Sequence, residues 1–167
     1  MVGLGRRTGG PIRSGRVFRW TLLRAISANP LFDLSGQCDL AAGVRQVVEP
    51  LNDIDTPGFL LTMMPDALRL LDDVGSDNLR IQYDVYHMQR MEGNLTATLR
   101  QHADRIGHVQ VADSPARNQP GTGEINYPFI FSLLDEIGYA GWVGCEYKPA
   151  PSTEQSLGWL RDWGYWT

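Results

Sequence analysis

The chain is 167 residues long, with 43% hydrophobic and 20% charged residues and a formal net charge of −4. This is the size and composition of one globular domain that can bury its own core. The charge is too mild to imply nucleic acid or membrane as a general partner, and no apolar run approaches the roughly 18 residues needed to span a bilayer.

Taken in chain order, the residues before Asp33 hold six arginines (Arg6, Arg7, Arg13, Arg16, Arg19 and Arg24) and no acid. Rich in Gly and Arg and without an apolar period, residues 1–40 are expected to form an irregular or disordered basic leader. Their acid-free composition also loosely resembles an organellar transit peptide. Cys38 and Cys145 form no metal-spacing motif. Both are read as reduced thiols of a cytoplasmic protein, Cys145 as a small apolar filler within a strand.

From residue 41 onward the pattern becomes regular, and residues 41–167 are expected to be one domain. VRQVVE reads as a short strand ending at Glu49. Pro65 opens an amphipathic helix through DALRLLDDV, stopped by Gly75. LRIQYDVY is an apolar, β-rich run holding Asp84. Asn94 is placed to cap LTATLRQHADRI, which Gly107 ends. HVQVA is the third strand. After the polar loop DSPARNQPGTGE, Asn126 and Pro128 start a helix stopped by Gly138. WVGCEY is the fourth strand, and Ser152 or Thr153 caps a last helix, EQSLGWLRDW, weakened by Gly158.

The strands therefore fall near 46–49, 79–84, 107–111 and 142–146, alternating with helices. That order builds a parallel sheet with right-handed crossovers, either an open doubly wound sheet or consecutive units of a (β/α)₈ barrel. No glycine-rich phosphate loop follows the first strand, which counts against a nucleotide-binding sheet. In both architectures the active site lies at the carboxyl ends of the strands.

Each carboxyl end carries an oxygen donor: Glu49, Asp84, Gln110 and Glu146, separated by 35, 26 and 36 residues. Singly, each acid reads as a solvated loop or cap residue; four in consecutive units point to convergence. Alternation places Gln82 with Asp84, His108 with Gln110, and Gly144 with Glu146. Three carboxylates confined together require a counter-charge, and all-oxygen ligation favours Mg²⁺ or Mn²⁺ over zinc. His87, three residues past Asp84, is expected just outside that shell, where it would meet a substrate oxygen. His108, on the face of Gln110, is expected either to support that residue or, the favoured reading, to be a buried core group, and His102 is expected as exposed. Arg117 and Lys148, past the third and fourth strands, are candidates to hold a substrate carboxylate.

VVEPLN, NLRIQYDVYHMQ, MEGNLT, IGHVQVAD, PGTGEINYP and GWVGCEYKP together resemble the hydroxypyruvate isomerase family of the xylose isomerase-like barrels. The resemblance runs from about Glu49 to Trp159 and implies the C-terminal half of a (β/α)₈ barrel. It implies a metal-assisted interconversion of hydroxypyruvate and tartronate semialdehyde through an enediolate. The implied metal ligands are Glu49, Asp84, Gln110 and Glu146. Glu49 and Glu146 would move the proton, and His87 and Arg117 would contact the small hydroxy-oxo acid.

Two departures stand out. Where the family usually has an Arg after its EPxN stretch, this chain has Asp53, Ile54 and Asp55, an acidic loop expected to weaken binding of an anion. A complete barrel needs about 250 residues, which leaves two exposed sheet edges and suggests a homodimer through them. A truncated, non-catalytic fragment that keeps its ligands and a related sugar epimerase are the competing readings. A multi-zinc nuclease would require more histidines than His87, His102 and His108.

Overall fold

The computed structural model describes residues 45–165, so the basic leader expected over 1–40 lies outside the described residues. Four strands, β1 (Gln46–Val48), β2 (Leu79–Asp84), β3 (Ile106–Val111) and β4 (Val143–Cys145), form one parallel sheet in the order β1-β2-β3-β4. The helices are α1 (Met64–Val74), α2 (Val85–Met91), α3 (Leu95–His102), α4 (Tyr127–Glu136), α5 (Thr153–Ser156) and α6 (Gly158–Asp162). A 3₁₀ turn, Ala103–Arg105, carries α3 into β3. Strands in sequence order with helical crossovers are what half of a (β/α)₈ barrel looks like.

Local chemistry explains the boundaries. Pro65 sits in the first turn of α1, where its missing N–H costs nothing, and Gly75 ends the helix at φ 65°, donating to the Leu71 carbonyl at 2.9 Å. Asn126 caps α4 by accepting the Phe129 N–H at 3.3 Å. Asn94 occupies the cap position of α3, but its backbone is left-handed at φ 47° and its side chain caps nothing. The single helix expected after Ser152 is instead two short ones, separated at Leu157, next to Gly158.

One face of the sheet packs against the helices. Ile81, Tyr83, Val109 and Val111 of β2 and β3 are fully buried with Ala67, Leu70 and Leu71 of α1, Leu99 of α3 and Leu133 of α4. Truncating such a buried Leu to Ala costs about 2–5 kcal/mol in comparable cores. Tyr83 and the two central strands are therefore rigid supports for whatever projects from the opposite face.

That opposite face is polar at its carboxyl end. Among the described residues β1 and β4 each pair on one side only. Trp142 (85% exposed) marks the free edge beside β4, where Cys145 is also exposed. Cys145 thus lies in its strand but is not the apolar filler expected, because among the described residues β4 has a neighbour on one side alone. Among the described residues, no helix is long and apolar enough to cross a membrane.

Candidate active site

Glu49 directly follows β1, Asp84 ends β2, Gln110 lies near the end of β3, and Glu146 directly follows β4. Parallel register sets Asp84 opposite Gln110 and Gln110 opposite Gly144, so the predicted groups come from adjacent strand ends. Gly144 leaves room that this row needs, because a Cβ there would lie 2.7 Å from His108 Nε2.

The residues are joined by a side chain whose role alternation alone does not disclose. The Gln82 amide donates to Glu49 Oε2 at 2.8 Å and to Gln110 Oε1 at 2.6 Å. Its two N–H bonds are consumed by these two acceptors, which fixes both carboxamide and carboxylate. The signal in the sequence is only that Gln82 lies two residues before Asp84.

Asp84 is fully buried and serves two structures at once. As the N-cap of α2, its Oδ1 accepts the Tyr86 N–H at 2.8 Å. Among the described residues its Oδ2 has no hydrogen-bond partner, and neither do the buried atoms Glu49 Oε1 and His87 Nε2. Ligand atoms of Glu49, Asp84 and His87 lie within 4.8 Å of one another.

His87 lies in α2, three residues past Asp84, and is only 1% exposed. Its Nδ1 accepts the backbone N–H of Asn52 at 3.0 Å and faces the Asn52 amide at 2.6 Å. With that lone pair engaged, the neutral ring carries its proton on Nε2. Burial, helped by the Arg117 charge, pushes His87 down to about 4, so it is neutral near pH 7. An Nε2–H is a donor and not a ligand, which sets His87 beside a cation site as a group for a substrate oxygen.

The carboxylates respond to confinement. Burial, reinforced by Asp84 and Glu146, pushes Glu49 up to about 7. Burial also lifts Asp84 to about 6, against the opposing Tyr86 N–H and Arg117 charge. Two buried acids that hold protons near neutrality, each with an unpartnered oxygen, fit a hard divalent cation. Gln110 Oε1 accepts from Gln82, and Glu146, half exposed and paired with Arg117, lies outside the group whose ligand atoms come within 4.8 Å of one another.

Arg117 faces this group from the loop after β3. Its guanidinium donates to Glu146 Oε2 at 2.9 Å, lies 3.8 Å from Asp84 Oδ2, and sits 5.4 Å from the centre of the Tyr86 ring. Its backbone is left-handed at φ 59°, uncommon for a residue with a side chain and characteristic of functional loops. Lys148, the other candidate cation, keeps its side chain exposed and contributes through its backbone, donating to the Arg117 carbonyl at 2.7 Å.

What holds Arg117 there is Asp113, which is 1% exposed. Its Oδ1 accepts the N–H groups of Ser114 (3.0 Å) and Ile125 (3.1 Å), and its Oδ2 those of Gly121 (2.8 Å) and Thr122 (3.0 Å). The Arg117 N–H closes onto the Asp113 carbonyl at 2.9 Å. The loop is also laced to the segment after β4: Asn118 donates to the Lys148 carbonyl, and Gln119 exchanges two bonds with Ala150. Gly123 admits no side chain, since a Cβ would lie 2.0 Å from the Ser114 carbonyl oxygen. Gly123→Ala is expected to cost about 1–3 kcal/mol by overpacking, seen as a lower midpoint in thermal unfolding.

Three sequence expectations change. Asp55 does not present a free negative charge to an incoming anion: it pairs with Arg90 at 2.8 Å and accepts the Tyr86 hydroxyl at 2.6 Å. Although burial opposes it, the Tyr86 and Asn52 hydrogen bonds and the Arg90 charge hold Asp55 below the usual carboxylate range. His108 is half-buried and not enclosed in the core, because it lies on the polar sheet face, and His102 is half-buried and not exposed.

Residues 31–163 match the model of the family described as xylose isomerase-like TIM barrel. The chain is 59% identical over 114 residues to hydroxypyruvate isomerase of Escherichia coli (strain K12), covering 68% of this chain and 44% of that protein. It is 43% identical over 121 residues to 2-oxo-tetronate isomerase of Cupriavidus necator, covering 72% and 46%. A crystal structure described as AP endonuclease, family 2, from Brucella melitensis superimposes with a TM-score of 0.81 at 36% identity, covering 86% of this chain and 55% of that one. The chain thus spans a little under half the length of these curated relatives.

Proposed function

This chain belongs to the xylose isomerase-like TIM barrel family, and we propose that it carries the catalytic half of an isomerase interconverting hydroxypyruvate and tartronate semialdehyde. The observation that carries this reading is the pair of buried, unpartnered carboxylate oxygens, Glu49 Oε1 and Asp84 Oδ2, beside the Nε2 of a buried histidine. The 59% identity to a hydroxypyruvate isomerase supports the choice of substrate. The relative named a 2-oxo-tetronate isomerase supports the wider class of small hydroxy-oxo acids.

Glu49, Asp84, Gln110 and Glu146 would hold a divalent cation, Mg²⁺ or Mn²⁺. When bound, it would polarise the substrate carbonyl and hydroxyl and offset negative charge that develops on them. The protein groups do the rest. One of Glu49 and Glu146 removes a proton from the hydroxymethyl carbon, leaving an enediolate. The other returns a proton to the carbon that bore the carbonyl, while the hydroxyl proton passes to the former carbonyl oxygen, so that carbonyl and hydroxyl exchange places. With the cation bound Glu49 would be ionised, the state a base needs in order to take the proton. His87 Nε2–H donates to a substrate oxygen, and Gln82 keeps Glu49 oriented through the cycle. Arg117 offers its planar fork to the substrate carboxylate.

The test is to add hydroxypyruvate to the purified chain with Mg²⁺ and follow both compounds by proton NMR. Appearance of tartronate semialdehyde is expected. Cation binding without turnover would leave a ligand-bearing, non-catalytic half barrel, and turnover of 2-oxo-tetronate alone would move the substrate within its class. The free edge at β4 with Trp142 supports a homodimer as part of the same reading, and elution as a monomer in size-exclusion chromatography would remove it.

The acids also set a pH signature. Without a cation, the raised positions of Glu49 and Asp84 mean that the folded chain holds protons the unfolded chain has released. That contribution to stability is complete below the ordinary carboxylate range and is lost as pH rises through about 7 for Glu49 and about 6 for Asp84. A cation must displace the same protons. Mn²⁺ affinity is therefore expected to rise about tenfold per pH unit between pH 6 and 7, more steeply below, and to level off above. Calorimetric titration across that range checks it; a flat profile would contradict the placement of Glu49 in the site.

A further inference from the structure

We infer that Arg117 is a built-in counter-cation: its guanidinium stands between Asp84 and Glu146 when no metal is bound and swings onto the carboxylate of a hydroxy-oxo acid when one is. This rests on the cation-binding reading of the site given above and adds an exchange to it.

A fully buried carboxylate needs a compensating charge, and among the described residues Asp84 Oδ2 has no hydrogen-bond partner. Two positive candidates lie near it. The His87 ring is 3.6 Å away, but its Nδ1 is committed to Asn52. The Arg117 guanidinium is 3.8 Å away and simultaneously bonded to Glu146 at 2.9 Å. Arg90, the next arginine along the site, is already paired with Asp55. Arg117 is thus the permanent charge that Asp84 and Glu146 share.

A Mg²⁺ or Mn²⁺ bound to Asp84 would place two positive groups on one carboxylate, and like charges so close repel. The Arg117 backbone cannot retreat, since its N–H is bonded to Asp113 and its carbonyl to Lys148, at 2.9 and 2.7 Å. The side chain can move. It is 22% exposed, and the Tyr86 ring, 5.4 Å from the guanidinium, supplies a face along which it can turn. The released fork matches a carboxylate in a bidentate pair. Metal and acid then favour each other's binding, because each removes an obstacle to the other.

Loss of Arg117 should therefore strengthen metal binding, the opposite of what removing a merely structural residue does. Calorimetry of Mn²⁺ binding to the wild-type chain, Arg117→Gln and Arg117→Lys at one pH and ionic strength tests this. We expect Arg117→Gln to bind Mn²⁺ about threefold to tenfold tighter, and Arg117→Lys to stay within about twofold of wild type. Equal or weaker binding by Arg117→Gln, with wild-type binding intact, overturns the exchange and leaves the metal site standing. Absence of Mn²⁺ binding by wild type overturns both. Should Arg117→Gln fail to fold, phenylglyoxal labelling of Arg117 in the wild-type chain, read by mass spectrometry, decides: faster labelling with Mn²⁺ supports the exchange, and unchanged or slower labelling refutes it.

Discussion

Glu49→Gln is expected to lower turnover of hydroxypyruvate about a thousandfold while leaving the fold and the far-ultraviolet circular dichroism unchanged. Removing a positioned general acid or base typically costs 10²–10⁴-fold. The substitution keeps the side-chain shape, so Gln82 can still bond to the retained oxygen at the position of Glu49 Oε2. It removes one ionisable group from the buried set, so the pH signature attributed to Glu49 should vanish with activity, leaving that of Asp84. Turnover reduced only a few fold would show that the proton is moved by another group.

The second large effect lies outside the chemistry. Asp113→Ala leaves four backbone N–H groups, those of Ser114, Gly121, Thr122 and Ile125, without their acceptor. Hydrogen bonds to a charged partner contribute about 1.5–3 kcal/mol each, and water can replace part of that at the exposed Gly121 and Thr122. A net loss of about 3 kcal/mol or more follows, or roughly 6–12 °C in the thermal midpoint of a domain this size. Asp113→Asn should recover about half, because its amide keeps one accepting oxygen but turns an NH₂ toward the other two donors. A wild-type midpoint for the Ala variant would mean that the loop is held by its links to Lys148 and Ala150 alone.

Much of the scaffold was legible in the chain, and the exceptions are instructive. The strand at Leu79–Asp84 coincides with its expected limits because the run is apolar and β-rich. The helix immediately after it was not foreseen, since Val85 and Tyr86 favour strands and no glycine or proline separates them from Asp84. The cue was Asp84 itself, a good N-cap. Asn94 was the converse, a good cap by composition whose left-handed backbone turns its side chain away. Glu49, Asp84, Gln110 and Glu146 were visible through the regular spacing of strand ends. The ties that organise them were not, because Gln82 reaches Glu49 across 33 residues and Arg117 reaches Glu146 across 29. Such pairs depend on how strands lie side by side, which period and propensity do not encode. Asp113 was hidden for a related reason: a loop acid reads as solvated unless the donors around it are known.

The direct passage from β2 into α2 has one more consequence. Residue Asp84 closes the strand and caps the helix, with nothing between them. One inserted residue would shift the cap, move His87 around the helix by about 100° and uncouple it from Asn52. This unit therefore cannot lengthen. Engineers seeking altered substrate range in this scaffold should substitute exposed side chains such as Asp53 and Ile54, leave the Asp113-held loop of Arg117 intact, and treat the β2–α2 junction as the fixed datum from which every other position is measured.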